Sequence, residues 1–430
     1  AKGAPEAIAD LCHLGEEQNN PLQVQVEKMA ADGLRVIAVA KAVFRERDLP
    51  GGQHDFSFTH LGLIGFADPV RPDAAGAIRE CYSAGIRVIM ITGDYPSTAR
   101  NIGKQIGLSS HERVISGSDL DAAGEGGIAG LIGDANIFAR VVPQQKLRIV
   151  EALKENNGIV AMTGDGVNDA PALKSAHIGI AMGSRGTDVA REASSLVLLD
   201  DNFASIVAAV RMGRRIFDNL KKAMAYIISI HVPIAGLSLV PVLLGWPLIL
   251  LPVHIVFLEL IIDPACSVVF EAEQEEPDIM QRCPRSPSAH LLDKKTTLIA
   301  LTQGFVVLGM VLAIYLAAVA VGLDEPAIRT LTFVTIVIAN LALICTNRSW
   351  TESIVRTLRR PNKAFWWVIV GTLIFLAAAV SLPVLQNLFQ FSPVPLPALF
   401  ICAGMGFLSV LWFEIFKFAR KRNKKVSQVA

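Results

Sequence analysis

Charged residues are scarce in this 430-residue sequence: Asp, Glu, Lys and Arg make up 18% of it, whereas 52% of the residues are hydrophobic. That balance excludes an ordinary soluble enzyme. The formal net charge of +1 says nothing in favour of a nucleic-acid partner, and we expect none. Residues 1–222 carry a normal mix of charge, but apolar runs of about 20 residues, the length that crosses a bilayer, begin at Ala223. The composition therefore predicts a soluble head followed by a membrane half.

Signals for processing and for cysteine chemistry are lacking as well. The opening residues AKGAPEAIADLCH contain neither an initiator Met nor a basic-then-apolar signal segment. We therefore expect an N-terminally truncated piece of a longer protein, inserted into the membrane through its own helices. The six cysteines show no CxxC or other metal-ligand spacing, which favours reduced and mostly buried thiols.

Short apolar runs alternate with helical patterns between residues 61 and 200. The runs are LGLIGFAD, IRVIMITGD, NIFARV, GIVAMTGD, HIGIAMG and SLVLL, and the helical stretches are 72–84, 96–107, 143–156, 168–175 and 187–193. This alternation predicts a doubly wound α/β domain whose parallel strands are joined by right-handed crossover helices. Ligands then bind at the carboxyl ends of the strands.

Two of these strands end in the same tripeptide, Thr92-Gly93-Asp94 and Thr163-Gly164-Asp165. A glycine lets the backbone turn beside a phosphate, a threonine hydroxyl donates to its oxygens, and an aspartate holds Mg²⁺. One such tripeptide is often only a turn. A pair on adjacent strands of one sheet, the second followed by NDAPAL, predicts half of a phosphate-and-magnesium site.

Several motifs together resemble the P-type ATPases of the large cation-pump family. They are TGDGVNDAPAL, ITGD followed by TARNIGKQIGL, FARVVPQQK, ADPVR and the leading KGAPE. The resemblance extends from Ala1 into the membrane half. It implies an α/β phosphorylation domain with the haloacid dehalogenase-like fold, followed by an all-α transmembrane domain, with Mg²⁺ and ATP as cofactors.

The resemblance also implies roles for individual residues. Asp165 would be a Mg²⁺ ligand, Asn168 and Asp169 would shape the Mg²⁺ site, and Lys146 would neutralise a phosphoaspartate. Lys146 is alternatively a solvated lysine at a helix start. The remaining matches are Thr92, Gly93 and Asp94 for the phosphoryl group and nucleotide end, Lys2 and Arg35 for the nucleotide domain, and Asp68 and Arg71 for the hinge between domains.

The nucleophile of the family is the Asp of a DKTGT strand, and no DKT occurs in these 430 residues. The TGE loop and the first four transmembrane helices of the family are missing too. A phosphoryl group cannot transfer to an absent aspartate, so we expect the isolated chain to be inactive. The missing half of the site is expected in a longer parent chain.

The domain boundaries follow from these patterns. We expect a nucleotide-domain remnant at 1–60, the phosphorylation domain at 61–221, six transmembrane helices at 222–417 and a basic tail at 418–430. The apolar runs lie at about 222–244, 248–270, 297–321, 328–346, 364–385 and 396–417. Lys and Arg number four in 271–296, five in 347–363 and six after Phe416, whereas the alternate connections have none. The positive-inside rule therefore predicts a multi-pass protein of the cell membrane, with the soluble head and C-terminus cytoplasmic.

The second apolar run contains two carboxylates, which are costly in a bilayer and usually functional. Glu259 and Asp263 are four residues apart and share a helix face, and Pro264 interrupts the hydrogen-bond ladder beside them. Carboxylates and freed carbonyls make an oxygen-lined cation site. The alternative is an interfacial pair that snorkels.

Departures from the family pattern leave the ion open. The family's calcium pumps have Asn-Leu-x-x-Asp here, which Asp263 matches and Glu259 does not, and they have Asn where this chain has His231. A two-calcium site is therefore not expected. One divalent cation, or a proton-coupled variant that uses His231, fits better. Ca²⁺ is the first choice and Mn²⁺ the next, while His231 is equally consistent with a helix-contact residue.

Three smaller features complete the membrane half. The acidic run EAEQEEPD at 271–278 is expected to be a solvated loop, Glu414 beside Lys417 to be an interfacial pair, and His254 to be a helix contact rather than a ligand.

Two hypotheses of different classes follow. The first is the C-terminal part of an ATP-driven cation pump, in which a helix beginning near Asn202 links the phosphorylation domain to the ion site. The second is a membrane-anchored haloacid dehalogenase-like phosphatase or regulatory fragment without transport. The missing DKTGT favours the second, whereas the intramembrane acids favour the first.

Overall fold

The computed structural model describes residues 1–44, 51–67, 69–156 and 158–427. The chain divides into two compact units. One, the α/β unit, comprises Ala1–Val210 and Met280–Pro287, and the other, the helical unit, comprises Arg211–Ile279 and Ser288–Ala430.

An antiparallel sheet opens the α/β unit. Its strands β1 (Lys2–Gly3), β2 (Arg35–Lys41) and β3 (Thr59–Phe66) lie in that order, beside helices α1 (Pro5–Leu11) and α2 (Glu16–Ala31). Alternate residues of β2 are buried, so one face of the strand packs against these helices.

The expectation that LGLIGFAD joins the parallel sheet is wrong. Residues 61–66 of this segment lie in β3, which pairs antiparallel with β2 from Arg35 opposite Phe66 to Lys41 opposite Thr59. A short apolar run shows that a strand forms but not which neighbour it pairs with, because the ladder partner is chosen by tertiary contacts.

The rest of the unit is parallel α/β. Strands β4 (Met90–Ile91), β5 (Val114–Ser116) and β6 (Ile137–Ala139) form one sheet in the order β4-β6-β5, and β7 (Ala161–Gly164), β8 (Ile178–Met182) and β9 (Leu196–Leu198) form a second in the order β7-β8-β9. The helices are α3 (Ala74–Ser83), α4 (Pro96–Gln105), α5 (Gly117–Ala122), α6 (Gly124–Asp134), α7 (Pro143–Glu155), α8 (Ala170–Ser175) and α9 (Asp188–Ala193). The parallel strands and the helices between them confirm the predicted α/β class.

The two TGD tripeptides do not follow adjacent strands of one sheet. The first follows β4 and the second ends β7, and in the part of the chain that the structure describes these strands have no ladder to each other. Alternation of strands and helices predicts parallel pairing but not strand order, so this expectation was wrong in its topology. Strand β5 was missed because three residues show no periodicity.

The helical unit contains the long apolar helices. After α10 (Phe203–Leu244), whose first residues belong to the α/β unit, come α11 (Pro252–Pro264), α12 (Lys294–Ala320), α13 (Glu325–Asn347), α14 (Ile354–Leu358), α15 (Lys363–Ser381), α16 (Pro383–Phe389) and α17 (Leu396–Ser427). Among the described residues six helical segments are long and apolar enough to cross a membrane: Phe203–Leu244, Pro252–Val269, Lys294–Ala320, Glu325–Asn347, Lys363–Ser381 and Leu396–Ala419. Six spans were predicted.

Helix α13 is the centre of this unit. Nearly all of its residues are buried, whereas the other spans each bury only part of their surface. An aromatic cluster of Phe257, Phe333, Phe389 and Phe391 surrounds His254, which is fully buried. His254 accepts from the Leu251 N–H through Nδ1 and lies 2.8 Å from the Phe389 carbonyl through Nε2. It is a helix contact, as expected.

Helix geometry changes beside the intramembrane acids. Helix α11 ends at Pro264 and continues as a π-helical segment, Ala265–Val269, rather than breaking. Proline has no N–H to donate, so the α ladder is interrupted at this point, and π-helical turns are common at functional sites.

Candidate active site and cation site

The loop after β4 is tied to the loop after β6. The Thr92 N–H donates to Phe138, the Val141 N–H donates to the Thr92 carbonyl at 3.2 Å, and the Arg140 N–H donates to the Asp94 carbonyl at 3.1 Å. The Thr92 hydroxyl donates to Asp94 Oδ2 at 3.1 Å and accepts from the Asp94 N–H at the same distance. Thr92 and Asp94 therefore form a closed turn at the carboxyl end of a strand, where the sequence located them.

The centre of this turn has room for a residue larger than glycine. A Cβ added at Gly93 would meet no atom within 4 Å. Open space at that point is what a phosphate oxygen or a nucleotide needs in order to approach the backbone.

The loop after β7 is crowded instead. A Cβ at Gly164 would lie 2.5 Å from the Asp169 Cβ, which is closer than real Cβ atoms come, so only glycine fits. Asp169 Oδ2 accepts from the N–H groups of Asp165 and Gly166, both at 3.3 Å, and Asp169 Oδ1 accepts from Lys146 Nζ at 2.6 Å. The Asp169 side chain is buried and holds the loop in shape.

Asp165 presents the available carboxylate of this loop. Its carbonyl accepts from Thr187, but among the described residues its exposed carboxylate has no hydrogen bond or ion pair. Asn168 is exposed beside it. An exposed carboxylate on a rigid glycine turn suits Mg²⁺, which binds through one or two carboxylates together with waters and phosphate oxygens. Lys146 is engaged by Asp169, so it is not the solvated lysine of the alternative reading.

Arg35 is brought to the first loop. Its Nε lies 3.8 Å from Asp94 Oδ1, although three quarters of the Arg35 side chain is exposed. Lys2 lies exposed in β1, opposite Val39.

Arg71 donates to the Asp201 carbonyl, and the Asp201 carboxylate accepts from the N–H groups of Ser184 and Arg185 at 3.0 Å each. Asp68 lies outside the described residues.

A cluster that was not foreseen joins two of the motifs. Glu6 of KGAPE pairs with Arg140 of FARV at 2.5 Å, accepts from the Tyr95 hydroxyl at 2.6 Å, and Arg140 stacks over the Tyr95 ring. Partial burial acts to raise the pKa of Glu6, but the Tyr95 hydrogen bond and the Arg140 charge outweigh it and lower that pKa. Burial and then the Glu6 hydrogen bond raise the pKa of Tyr95. Motif spacing contains no signal for this contact between segments 89 residues apart.

The intramembrane acids lie next to a histidine. His231 on α10 places Nε2 3.8 Å from Glu259 Oε1 on α11, and about half of each side chain is exposed. Asp263, one helical turn beyond Glu259, is exposed, and its carbonyl accepts from the Ser267 hydroxyl at 2.7 Å. The structure therefore joins His231 to Glu259 and leaves Asp263 on the same face. In the part of the chain that is described, no three His, Cys, Asp or Glu side chains are grouped closely enough to hold a metal.

The expectation of a solvated loop at 271–278 is wrong for two of its acids. Glu273 is fully buried against Arg348, whose Nε lies 2.6 Å from its carboxylate, and Glu276 is buried 2.8 Å from Lys222 Nζ. Burial acts to raise the pKa of Glu276, but Lys222 and the hydroxyls of Ser349 and Thr351 outweigh it and lower that pKa. The pattern EAEQEEPD is that of a solvated loop, and only the tertiary contacts supply the partners.

Glu414 and Lys417 form a pair that is largely buried in the protein, and its place at the membrane interface stays a prediction. Their charged atoms are 2.6 Å apart, and Lys417 also donates to the Thr346 carbonyl at 2.6 Å. Lys417 is almost fully buried, so this pair pins α17 against α13.

Two family models match the chain. Residues 4–177 match the haloacid dehalogenase-like hydrolases, and residues 247–419 match the C-terminus of the cation-transporting ATPases. The first match lies on the α/β unit, and the second lies on the helical unit apart from Met280–Pro287, which agrees with the division of the chain into two units.

Individual relatives give the same result. The chain is similar to a calcium-transporting ATPase of Bacillus subtilis, with 35% identity over 90% of this chain and 45% of that protein. It is 42% identical to a cation-transporting ATPase of Synechocystis over 72% of this chain and 36% of that protein. A sodium/potassium exporting P-type ATPase of Schizosaccharomyces pombe is 36% identical over 71% of this chain and 32% of that protein. The chain thus spans less than half the length of these relatives, and the names of two of them specify different ions.

Proposed function

This chain belongs to the cation-transporting P-type ATPases, and we propose that it is the C-terminal part of an ATP-driven pump that moves a divalent cation across a membrane. The observation that carries the proposal is the placement of Glu259 and Asp263, half-exposed and exposed, on a helix of membrane-spanning length. A carboxylate facing lipid is costly, and an anchor needs none. Cation transport gives these residues a reason to be there.

The α/β unit supplies the energy-coupling half of this function. Mg²⁺ would be held by Asp165, and when bound it neutralises charge that develops on a transferring phosphoryl group. Asp169 and Gly164 keep the Asp165 turn rigid, and Lys146 holds a positive charge at the same loop through its 2.6 Å contact with Asp169. The open turn at Thr92, Gly93 and Asp94 fits the phosphoryl group and nucleotide end, with Arg35 beside Asp94 and Lys2 toward the nucleotide. ATP is the proposed nucleotide.

The domain limits proposed for this pump follow the sequence, with one adjustment from the sheet. Residues 1–60 form the nucleotide-domain remnant, 61–221 the phosphorylation domain, 222–417 the membrane domain and 418–430 a basic tail. Because β3 pairs with β2 through Phe66, the antiparallel sheet extends past residue 60. Arg71 then lies just after that sheet. Asp68 and Arg71 stay the residues that the resemblance assigns to the hinge between domains.

We propose that the nucleophilic aspartate belongs to a segment outside this chain. Strands β4 and β7, which carry the two TGD tripeptides, each have a single ladder partner within the described residues. One further parallel strand beside both would complete the sheet and would put its carboxyl end next to the two loops. Likewise, further membrane helices would cover the exposed face of Glu259 and Asp263.

The proposed location is a cell membrane, with the soluble head and C-terminus cytoplasmic. The support is the distribution of Lys and Arg, which are absent from alternate connections between the spans. Partners are the transported cation, the lipid bilayer and the N-terminal portion of a longer pump.

A second candidate function is a membrane-anchored phosphatase or regulatory fragment without transport. It is favoured by the absence of DKTGT from the 430 residues. In that case the exposed Asp165 carboxylate would serve a Mg²⁺-dependent site that acts without a phosphoenzyme of its own.

Cation-dependent ATPase activity of the reconstituted full-length parent separates the two. Wild type, Glu259→Gln and Asp263→Asn are compared over a range of ions and pH. Transport predicts that both variants lose ion affinity while Mg²⁺-dependent nucleotide binding is kept. Wild-type ion affinity in both variants would remove the transport function from this segment and leave the second candidate.

A further inference from the structure

The histidine beside the intramembrane acids has a defined orientation. His231 Nδ1 lies 2.8 Å from the Ile227 carbonyl, one turn earlier on α10. A carbonyl only accepts hydrogen bonds, so Nδ1 carries the proton of the neutral ring, and the lone pair is on Nε2. That atom faces Glu259 Oε1 at 3.8 Å. Fixing one ring nitrogen by a backbone carbonyl is the arrangement by which proteins orient histidine ligands of metals.

The distance between His231 Nε2 and Glu259 Oε1 leaves room for an ion between them. A separation of 3.8 Å is too long for a direct hydrogen bond. Bonds from a divalent transition metal to nitrogen and oxygen are about 2.1 Å long. A cation at that distance from both His231 Nε2 and Glu259 Oε1 would have an angle of about 130° between its two bonds. His231 and Glu259 therefore need no large movement to bind one ion together, with Asp263 one turn away on the same helix.

The chemistry of the donors distinguishes between ions. Ca²⁺ and Mg²⁺ take oxygen ligands, and an imidazole nitrogen adds little to their binding. First-row transition cations accept imidazole readily, with affinity rising from Mn²⁺ toward Cu²⁺. The oriented His231 Nε2 opposite the Glu259 carboxylate thus favours first-row transition cations over Ca²⁺ and Mg²⁺.

Resting on the proposed function, we infer that His231 makes this site selective for a divalent first-row transition cation over Ca²⁺ and Mg²⁺. The oxygen ligands alone made Ca²⁺ the first choice of transported cation. With His231 as a ligand, the first choice becomes Mn²⁺ or another divalent cation of the first transition row. Further ligands would come from water and from carbonyls near the π-helical segment, and the Asp263 side chain, which is not grouped with His231 and Glu259 here, would have to reorient to join them.

The test is ion binding by the complete 430-residue chain in lipid nanodiscs. The electron paramagnetic resonance signal of free Mn²⁺ measures Mn²⁺ binding, and competition measures Ca²⁺ binding. An Asp165→Asn background removes the contribution of the soluble loop. In that background His231→Asn, which replaces a nitrogen ligand by an amide, is compared with Glu259→Gln and with His290→Asn, a control in the exposed connection before α12.

We expect the reference chain to bind Mn²⁺ at least about tenfold more tightly than Ca²⁺, on the scale of the 10–100-fold changes that altered metal surroundings cause. His231→Asn should abolish that preference by weakening Mn²⁺ binding alone, Glu259→Gln should weaken both ions, and His290→Asn should weaken neither. If His231→Asn keeps the preference while Glu259→Gln loses binding, the selectivity role is wrong and the cation site stands. If Glu259→Gln binds both ions as the reference does, or the reference binds neither, the selectivity role and the proposed site both fail.

Discussion

Gly164→Ala should destabilise the α/β unit and loosen the loop after β7, whereas Gly93→Ala should do neither. Both glycines occupy the middle of a TGD tripeptide, so the two substitutions are chemically identical. At Gly164 the new Cβ would lie 2.5 Å from the Asp169 Cβ, and at Gly93 it would meet nothing within 4 Å. Relief of the clash has to move Asp169, which is also held by Lys146 at 2.6 Å and by two N–H groups.

The size of the effect follows from the cost of overpacking. An added methyl in a filled site costs about 1–3 kcal/mol. For a unit of this size each kcal/mol lowers the melting temperature by about 2–4 °C, so we expect a decrease of roughly 2–12 °C for Gly164→Ala. An exposed substitution such as Gly93→Ala should stay within about 0.5 kcal/mol.

The two units can be followed separately in this chain. All five tryptophans lie at or after Trp246, so tryptophan fluorescence reports on the helical unit and serves as an internal control. Calorimetry and hydrogen exchange of peptides from β7 and β8 report on the α/β unit. Equal melting temperatures and exchange rates for the two alanine variants would refute the steric argument. A loss confined to Gly164→Ala, with unchanged fluorescence, supports it.

Three further predictions concern other parts of the chain. Single cysteines introduced by Glu325→Cys and Val426→Cys in an otherwise cysteine-free full-length parent should differ in their labelling by an impermeant thiol reagent. Applied to sealed cells, the reagent should label only the cysteine at position 325. Labelling at position 426 contradicts the proposed topology. Glu273→Gln leaves the fully buried Arg348 without its counter-charge and should lower the stability of the helical unit by about 3–5 kcal/mol. Glu271 is exposed, so Glu271→Gln should change that stability very little. Equal thermal stability of the two variants contradicts the role of the buried Glu273–Arg348 pair. Glu6→Gln should lower the stability of the α/β unit near neutral pH. Because folding lowers the pKa of Glu6, its contribution is complete above the ordinary value of 4.5 and is lost as the pH falls through the folded-state pKa, so the difference between wild type and variant should shrink in acid; a constant difference contradicts this assignment.

The sequence allowed the general organisation to be predicted because it depends on local signals. Long apolar runs specify membrane-spanning helices, and alternation of strand and helix patterns specifies an α/β domain. The residues of the proposed Mg²⁺ loop are also close together in the sequence. Gly164, Asp165 and Asp169 lie within six residues, so one turn brings them together without help from distant segments.

Strand partners and long-range ion pairs could not be predicted in this way. The pairing of β3 with β2, and the division of the parallel strands between two sheets, depend on which neighbours compete for each ladder. Glu273 and Arg348 are 75 residues apart, and neither carries a local signal that the other is near.

The proposed ion site shows the same division within a few side chains. The sequence by itself determined that Glu259 and Asp263 share a helix face, because the spacing of four residues is a property of the helix. Only the tertiary structure decided that His231 of another helix faces Glu259 at 3.8 Å, and that the Ile227 carbonyl turns its Nε2 toward the acid. Contacts between helices depend on packing along their whole length, which no short motif contains.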